Sequence, residues 1–276
     1  LKLLFFLTLL LCSCISQQPE EHENKITVVV SIPPLAEFTK AIGKEKVKVE
    51  VLLPSGANPH TYEPTPKQII ELSKAMLLII NDVGLEYWIE DIMEINKNLT
   101  VVDTSRGIKL IYEGERPNPH IWLSPKNAKI QVNNICNALI EIDPANKEYY
   151  IKNKEEYLRK LDELDKYAEK KLSNVKRREF ITFHPAWAYF ARDYNLSQIV
   201  IEEKGKEPTP KHLIEIIKKA RELNITIIFA EPEFNPKSVE VLAREINAKT
   251  EFLEPLSENY ITDMYKNIDK IHGALI

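Results

Sequence analysis

Three of the six histidines in the sequence lie in short segments beside a proline. His60 and His120 each end an Asn-Pro-His tripeptide, and His184 begins a His-Pro-Ala-Trp segment. Proline restricts the backbone of its loop, which lowers the entropy lost when a set of ligands becomes ordered. Neutral imidazoles bind divalent transition metals. The three side chains together are candidate ligands of one such ion, whereas a single loop histidine is more often a hydrogen-bonded or surface group.

A carboxylate is a suitable fourth partner for three imidazoles, because zinc sites are usually four-coordinate. The best candidate is Glu254, which stands beside a proline in a Leu-Glu-Pro-Leu segment after a predicted strand. Glu231, in a Glu-Pro-Glu segment, is the alternative fourth ligand or a residue that orients a ligand. Glu63 is predicted either to hold an imidazole N–H or to cap the helix that begins near Thr65.

The segments between these residues predict the elements that must position them. From residue 26 onward, short β-branched or apolar runs alternate with helical patterns, as in parallel α/β sheets. Ser-Pro and Thr-Pro pairs mark several helix starts, since the first residue caps the helix and proline fits its first turn. Two similar α/β lobes are predicted, over 26–142 and 175–276. Their strands are predicted at 26–31, 47–53, 76–81 and 100–103, and at 179–183, 198–201, 225–230 and 249–253.

A single long helix is predicted to join the lobes, within residues 143–174. From Pro144 to about Ser173 the chain has no glycine and no further proline. Roughly thirty helical residues would extend about 45 Å, which is the height of two lobes. Its apolar residues recur at helical spacing and form one stripe: Ile151, Leu158, Leu161, Leu164, Ala168 and Leu172.

The lobes place the candidate ligands in the cleft between them. Ligands of parallel sheets bind near the carboxyl ends of the strands, and a cleft between two lobes is a natural binding site. His60 and His120 come from the first lobe and His184 from the second. The metal site is therefore predicted in the inter-lobe cleft.

The first residues of the sequence are typical of a targeting signal. Residues 1–11 are one lysine and an apolar run that is too short to span a bilayer, which needs about 20 residues. Residues 11–14, Leu-Cys-Ser-Cys, resemble the lipobox of prokaryotic lipoproteins. This resemblance implies a signal peptide over residues 1–14 and lipidation of Cys14; Cys12 as the lipidated residue and a plain secretory signal are the alternatives. Residues 15–25 are polar and predict a flexible tether.

Composition narrows the classes of function. The chain has 276 residues, 37 Lys and Arg, 41 Asp and Glu, and a net charge of -4. It lacks the basic excess of a nucleic-acid-binding protein. Cys136 is the only cysteine beyond residue 14, so the folded part has no disulfide framework, and its helical context predicts a small buried side chain.

Four segments, in order along the chain, resemble the zinc and manganese substrate-binding lipoproteins of metal ABC importers. They are residues 58–66, 118–123, 183–187 and 231–234, and the resemblance covers nearly the whole mature chain. It implies two α/β lobes on a rigid backbone helix, with His60, His120 and His184 as metal ligands. The family usually has an Asp-Pro-Leu turn for the fourth ligand, and this chain has Glu254 there.

The resemblance leaves two metals open. Zinc-specific members commonly carry a long loop rich in histidine and acidic residues, but residues 105–118 contain no histidine. Manganese receptors tend to have a carboxylate in place of the third histidine, and this chain keeps His184. Imidazole favours zinc and carboxylate oxygen favours manganese, so zinc is preferred and manganese is second.

The family implies capture without chemistry. The expected protein is a monomer, lipid-anchored on the extracytoplasmic face of the membrane, that delivers its metal to an ABC permease. One alternative is a zinc-dependent hydrolase, which would keep an open coordination position for water, although the sequence has no His-Glu-x-x-His helix. The other is a receptor for a metal chelate such as a siderophore or corrinoid, which would rely on aromatic and arginine contacts.

Overall fold

The computed structural model describes residues 25–72, 75–203, 205–234 and 237–276. The predicted signal peptide, the lipidation site Cys14 and the tether up to residue 24 lie outside the described residues. Within the described ranges, the helices are all either too short or too polar to cross a bilayer.

The first lobe is built on a four-stranded parallel sheet. Parallel strands are covered on both faces, which explains why their sequences are nearly continuous apolar runs. Leu77 to Ile80, for example, are all buried. The sheet has the order β2-β1-β3-β4. Its strands are β1 (Ile26–Val30), β2 (Val47–Val51), β3 (Leu77–Ile80) and β4 (Thr100–Asp103), and the helices between them are α1 (Pro33–Gly43), α2 (Pro66–Leu72) and α3 (Ile89–Ile95).

A short antiparallel hairpin follows the first sheet and was not predicted from the sequence. It consists of β5 (Tyr112–Glu113) and β6 (Arg116–Pro117). Its two-residue strands are too short to produce an alternating pattern. The hairpin leads directly to the segment that contains His120 and then to α4 (Pro125–Ile142). Ser124 caps this helix, because its hydroxyl oxygen accepts from the N–H of Asn127 at 3.1 Å.

The long helix is present as α5 (Lys147–Leu172), preceded by a single 3₁₀ turn. Its buried face differs slightly from the predicted stripe, because Ile151 and Leu158 are only partly buried while Tyr150 and Tyr157 lie in the core. The tyrosine rings supply apolar surface and their hydroxyls reach acceptors. The Tyr157 hydroxyl, for example, donates to Oε1 of Glu37 at 2.7 Å.

The second lobe repeats the topology of the first. Its parallel sheet has the order β10-β9-β7-β8, so in both sheets the first strand in sequence lies between the second and the third. The expected α/β fold of two similar parallel-sheet lobes with one long helix is confirmed. The strands are β7 (Glu179–Thr182), β8 (Ser197–Val200), β9 (Ile227–Ala230) and β10 (Lys249–Phe252), and the helices are α6 (Ala188–Asp193), α7 (Pro210–Glu222), α8 (Lys237–Ile246) and α9 (Tyr260–Leu275).

One apolar core extends through both lobes. Leu161 of α5 belongs to the same buried cluster as Val28 of β1 and Phe180 of β7. Polar contacts cross the same interface. Nε1 of Trp122 donates to the carbonyl of Pro255 at 2.7 Å, and the Tyr260 hydroxyl donates to the carbonyl of Trp122 at 2.7 Å. Because interiors are closely packed, the shared core holds the lobes in one relative position.

We expect Leu161→Ala to lower the free energy of unfolding by about 2–5 kcal/mol, because it leaves a cavity in this shared core. Leu158→Ala is the matched control, since Leu158 is on the same helix but only partly buried. Urea unfolding followed by circular dichroism measures both. Leu161→Ala should also unfold in one transition. Separate transitions for the two lobes would contradict the shared core.

Candidate metal centre

The three predicted histidines meet in the cleft between the lobes. The Nε2 atom of His60 lies 3.1 Å from Nε2 of His120 and 2.9 Å from Nε2 of His184. The third side of the triangle, between His120 and His184, is 3.0 Å. A tetrahedral ion with metal–nitrogen bonds of about 2.05 Å needs nitrogens about 3.4 Å apart. The rings are therefore within a few tenths of an ångström of the spacing that such an ion requires.

The two Asn-Pro-His tripeptides form the same local turn. Oδ1 of Asn58 accepts from the backbone N–H of His60 at 2.9 Å, and Oδ1 of Asn118 accepts from that of His120 at 3.0 Å. This is the Asx turn, in which a side-chain oxygen takes the place of a backbone acceptor. The turn explains why the tripeptide occurs at both positions.

Two of the rings have a fixed orientation. Nδ1 of His120 donates to Oδ1 of Asn118 at 2.9 Å, and Nδ1 of His184 donates to Oε2 of Glu202 at 2.8 Å. A proton held on Nδ1 leaves the Nε2 lone pair free for a metal. Both rings are buried, whereas His60 is partly exposed and no described residue bonds to its Nδ1.

Glu202 is a residue that the sequence analysis missed. It is buried and comes shortly after β8, the strand beside β7, so its carboxylate and His184 lie at the same end of the sheet. The sequence does contain an indication of Glu202, because a charged residue directly after a strand in an α/β lobe is a candidate site residue. Its pairing with His184 depends on the strand order, which the local sequence does not specify.

Burial keeps two of the imidazoles neutral. It lowers the pKa of His60 to about 3, with a smaller contribution from the nearby His184. It also holds the pKa of His120 well below the ordinary value, again with smaller contributions from the other two rings. Neutral imidazole is the form that binds a metal. The site is therefore prepared for a cation at neutral pH.

A small cavity beside the imidazoles has apolar and acidic walls. The ring of Phe234 lies against His184, with 4.7 Å between ring centroids, and Trp122 lies 5.3 Å from His120. Pro255, Leu256, Glu231 and Glu233 complete the far side. Apolar walls exclude water and strengthen the interaction of a bound ion with its ligands.

Glu231 is fully buried, and neither of its carboxylate oxygens forms a hydrogen bond within the described chain. Burial raises its pKa well above the ordinary value, the nearby backbone N–H of His184 lowers it, and the charges of Glu233 and Glu202 raise it further. Burial likewise raises the pKa of Glu233 to about 7. Glu231 and Glu233 both line the cavity beside the imidazoles, so both are candidate ligands for a cation there.

Glu254 and Glu63 are not brought to the imidazoles. Among the described residues, the group of potential ligand atoms that lie within 4.8 Å of one another contains the three histidines alone. Oε1 of Glu254 accepts from the N–H of Leu256 at 3.3 Å instead. Glu63 is exposed and accepts from the Tyr87 hydroxyl at 3.1 Å, so it neither holds an imidazole nor caps α2.

The comparisons with known proteins identify the family. The family model described as "ZnuA: Zinc-uptake complex component A periplasmic" matches residues 28–274. The chain belongs to this family. The resemblance found in the sequence segments is thereby confirmed.

Two relatives and one solved structure are similar to this chain over most or all of their length. The high-affinity zinc uptake system protein ZnuA of Bacillus subtilis (strain 168) is 35% identical over 92% of this chain and 88% of its own. The manganese ABC transporter substrate-binding lipoprotein scaA of Streptococcus gordonii is 31% identical over 100% and 97%. A crystal structure of ZnuA has a TM-score of 0.90 and 39% identity, covering 92% of this chain and 100% of that one.

We expect Glu202→Gln to weaken zinc binding by about tenfold, because residues that orient a metal-binding imidazole typically contribute 10–100-fold to affinity. Glutamine can still accept the hydrogen bond from Nδ1 of His184. It lacks the negative charge that makes the imidazole a stronger electron donor to a metal. Competition with a chromogenic chelator measures the affinity. Glu207→Gln, at an exposed position in the same lobe, is the matched control, and equal affinities for both variants would contradict the role of Glu202.

The pH dependence of stability should report the low pKa of His60. In the unfolded chain this imidazole binds a proton below its ordinary value of 6.5, whereas in the folded protein it does so only near 3. The unfolded state therefore binds more protons between these values, and stability falls as the pH is lowered.

We expect His60→Gln to flatten this loss by up to about 1 kcal/mol per pH unit between pH 6 and 4, because one proton difference corresponds to about 1.4 kcal/mol per unit. Chelator-treated protein unfolded in urea at several pH values provides the measurement. Other titrating groups are common to both proteins. Parallel curves for the variant and the unchanged protein would show that His60 titrates normally in the fold.

Proposed function

We propose that the protein binds one divalent transition metal ion outside the cytoplasm and delivers it to an ABC-type importer. The observation that carries the proposal is the convergence of three imidazole Nε2 atoms within 3.1 Å of one another. The family, and the zinc and manganese transport proteins among the relatives, support the same function. His60, His120 and His184 are the metal ligands in this proposal.

Zinc is the preferred cargo and manganese the second. Three nitrogen ligands suit zinc, whereas manganese prefers carboxylate and other oxygen ligands. The buried Nδ1 contacts to Asn118 and Glu202 strengthen two of the rings as nitrogen donors. The donor set of this chain therefore favours zinc.

A carboxylate of the second lobe completes the coordination. Glu254 would have to release the N–H of Leu256 and turn toward the imidazoles. Glu231 lines the cavity with both oxygens unpartnered within the described chain. A charged or hydrogen-bonded partner offsets the cost of burying such oxygens, and a bound cation supplies it.

The metal is cargo in this proposal and not a catalyst. The cavity beside the imidazoles is bounded by Phe234, Trp122 and Pro255 and offers little room for an organic molecule. An enzyme would need space for a substrate beside the metal-bound water, and a chelate receptor would need still more. The size of the cavity supports a bare ion.

The protein acts on the extracytoplasmic face of the membrane, held there as a monomer by a lipid on Cys14, with an ABC permease as its partner. The names of several relatives include the word lipoprotein, as for the zinc-binding lipoprotein AdcA of Streptococcus pneumoniae. Residues 15–25 provide the tether between the anchor and the folded lobes.

Native mass spectrometry with elemental analysis, under competition between Zn²⁺ and Mn²⁺, tests the function. We expect one zinc per chain, lost in His120→Ala and retained in the control His212→Ala, because His212 lies on α7 outside the site. Glu254→Gln and Glu231→Gln identify the fourth ligand by which of them weakens binding. A protein that takes up neither metal would overturn the proposal.

A further inference from the structure

Asn118 uses nearly all of its hydrogen-bonding groups, and it is 2% exposed. Besides its two bonds to His120, its Nδ2 donates to Oε1 of Glu113 at 2.6 Å and to the carbonyl of Pro185 at 2.8 Å. Its backbone carbonyl accepts from the Tyr189 hydroxyl at 2.7 Å. A buried polar group with this many partners has one conformation.

These contacts cross the boundary between the lobes. Glu113 and His120 belong to the first lobe, whereas Pro185 and Tyr189 belong to the second. Pro185 directly follows His184 in the chain. One side chain therefore contacts the ring of one candidate ligand and the backbone beside another.

The chemistry of this position requires an amide. Oδ1 of Asn118 faces two N–H donors of His120, and Nδ2 faces two acceptors, the Glu113 carboxylate and the Pro185 carbonyl. An aspartate has the same shape but no donor. It would keep the bonds to His120 and place a negative charge against both acceptors.

The equivalent residue of the other tripeptide has a simpler environment. Asn58 is only partly buried, and its Oδ1 accepts from the backbone N–H of His60. No described residue forms a hydrogen bond with the Nδ2 of Asn58. The two Asn-Pro-His segments share a turn, but of their two asparagine side chains only that of Asn118 has a hydrogen bond to the second lobe within the described residues.

We propose that Asn118 is a positioning residue that fixes the His120 imidazole relative to the His184 loop across the lobe interface. This inference rests on the proposed metal-binding function. The amide gives His120 its orientation through Oδ1 and ties that orientation to the second lobe through Nδ2. Metal geometry then depends on the contact with Pro185 as well as on the contact with His120.

Asn118→Asp is the principal variant, since it changes one atom and retains the acceptor for His120. We expect zinc affinity, measured by chelator competition, to fall about 10–100-fold. Repulsion from the Glu113 carboxylate and the Pro185 carbonyl should shift the side chain and the His120 ring with it, and this should outweigh the stronger electron donation that the added charge gives that ring. We also expect a changed visible absorption spectrum of the Co²⁺-loaded protein, because that spectrum reports ligand geometry and would not change if the substitution affected stability alone. Asn58→Asp introduces the same charge in the same tripeptide and should lose less affinity.

Two further variants separate the contacts. The first is the double variant Asn118→Asp with Glu113→Gln, in which the glutamine can donate to the new carboxylate within the first lobe. The contact with Pro185 stays broken, so zinc affinity should stay low. Tyr189→Phe removes the hydroxyl that donates to the Asn118 carbonyl and accepts from the N–H of Ile111, and it serves if the aspartate variant does not fold. We expect it to weaken zinc binding severalfold and to shift the Co²⁺ spectrum in the same direction.

Several outcomes would overturn the inference while leaving metal binding intact. The first is an unchanged affinity and Co²⁺ spectrum in Asn118→Asp or, if that variant does not fold, in Tyr189→Phe. The second is an equal loss of affinity in Asn118→Asp and Asn58→Asp. The third is full recovery of affinity in the double variant, which would assign the effect to Glu113. Absence of zinc binding by the unaltered protein would instead reject the proposed function itself.

Discussion

The structure depends on one constraint, which is that three imidazole nitrogens from different parts of the chain point at one another. Each imidazole must be neutral, and the loops must hold the three Nε2 atoms about 3 Å apart. The Nε2 lone pairs of His120 and His184, 3.0 Å apart, repel each other, so the arrangement is maintained by the surrounding protein. The same repulsion is relieved when a cation lies between them.

The interface between the two lobes holds the three nitrogens in this arrangement. His60 and His120 belong to one lobe and His184 to the other, so any change in the relative position of the lobes would change the triangle. A common apolar core, the long helix α5 and the hydrogen bonds of Trp122 and Tyr260 oppose such a change. Specificity for an ion of one size and geometry is then a property of the whole interface.

Local sequence patterns predict the helices, the strands and the three histidines of the site. The strands were found because parallel strands are continuous apolar runs, and His60, His120 and His184 because proline marks their loops. The parts that could not be predicted depend on tertiary contacts. Glu202 meets His184 only because β8 lies beside β7, and the direction of the Glu63 and Glu254 carboxylates is set by Tyr87 and Leu256. The stripe on α5 was shifted because tyrosine can bury its ring and still satisfy its hydroxyl.

The unequal support of the three rings has a kinetic consequence. His120 and His184 are held in place by Asn118 and Glu202, whereas His60 lies on a partly exposed loop without such a partner among the described residues. Dissociation of a multidentate complex proceeds one bond at a time, and the least constrained donor leaves first. An ion still attached to two nitrogens would present a free coordination position toward solvent, where a donor of another protein can enter before the remaining bonds break. Transfer by such ligand exchange avoids a free ion and needs the displacement of one loop.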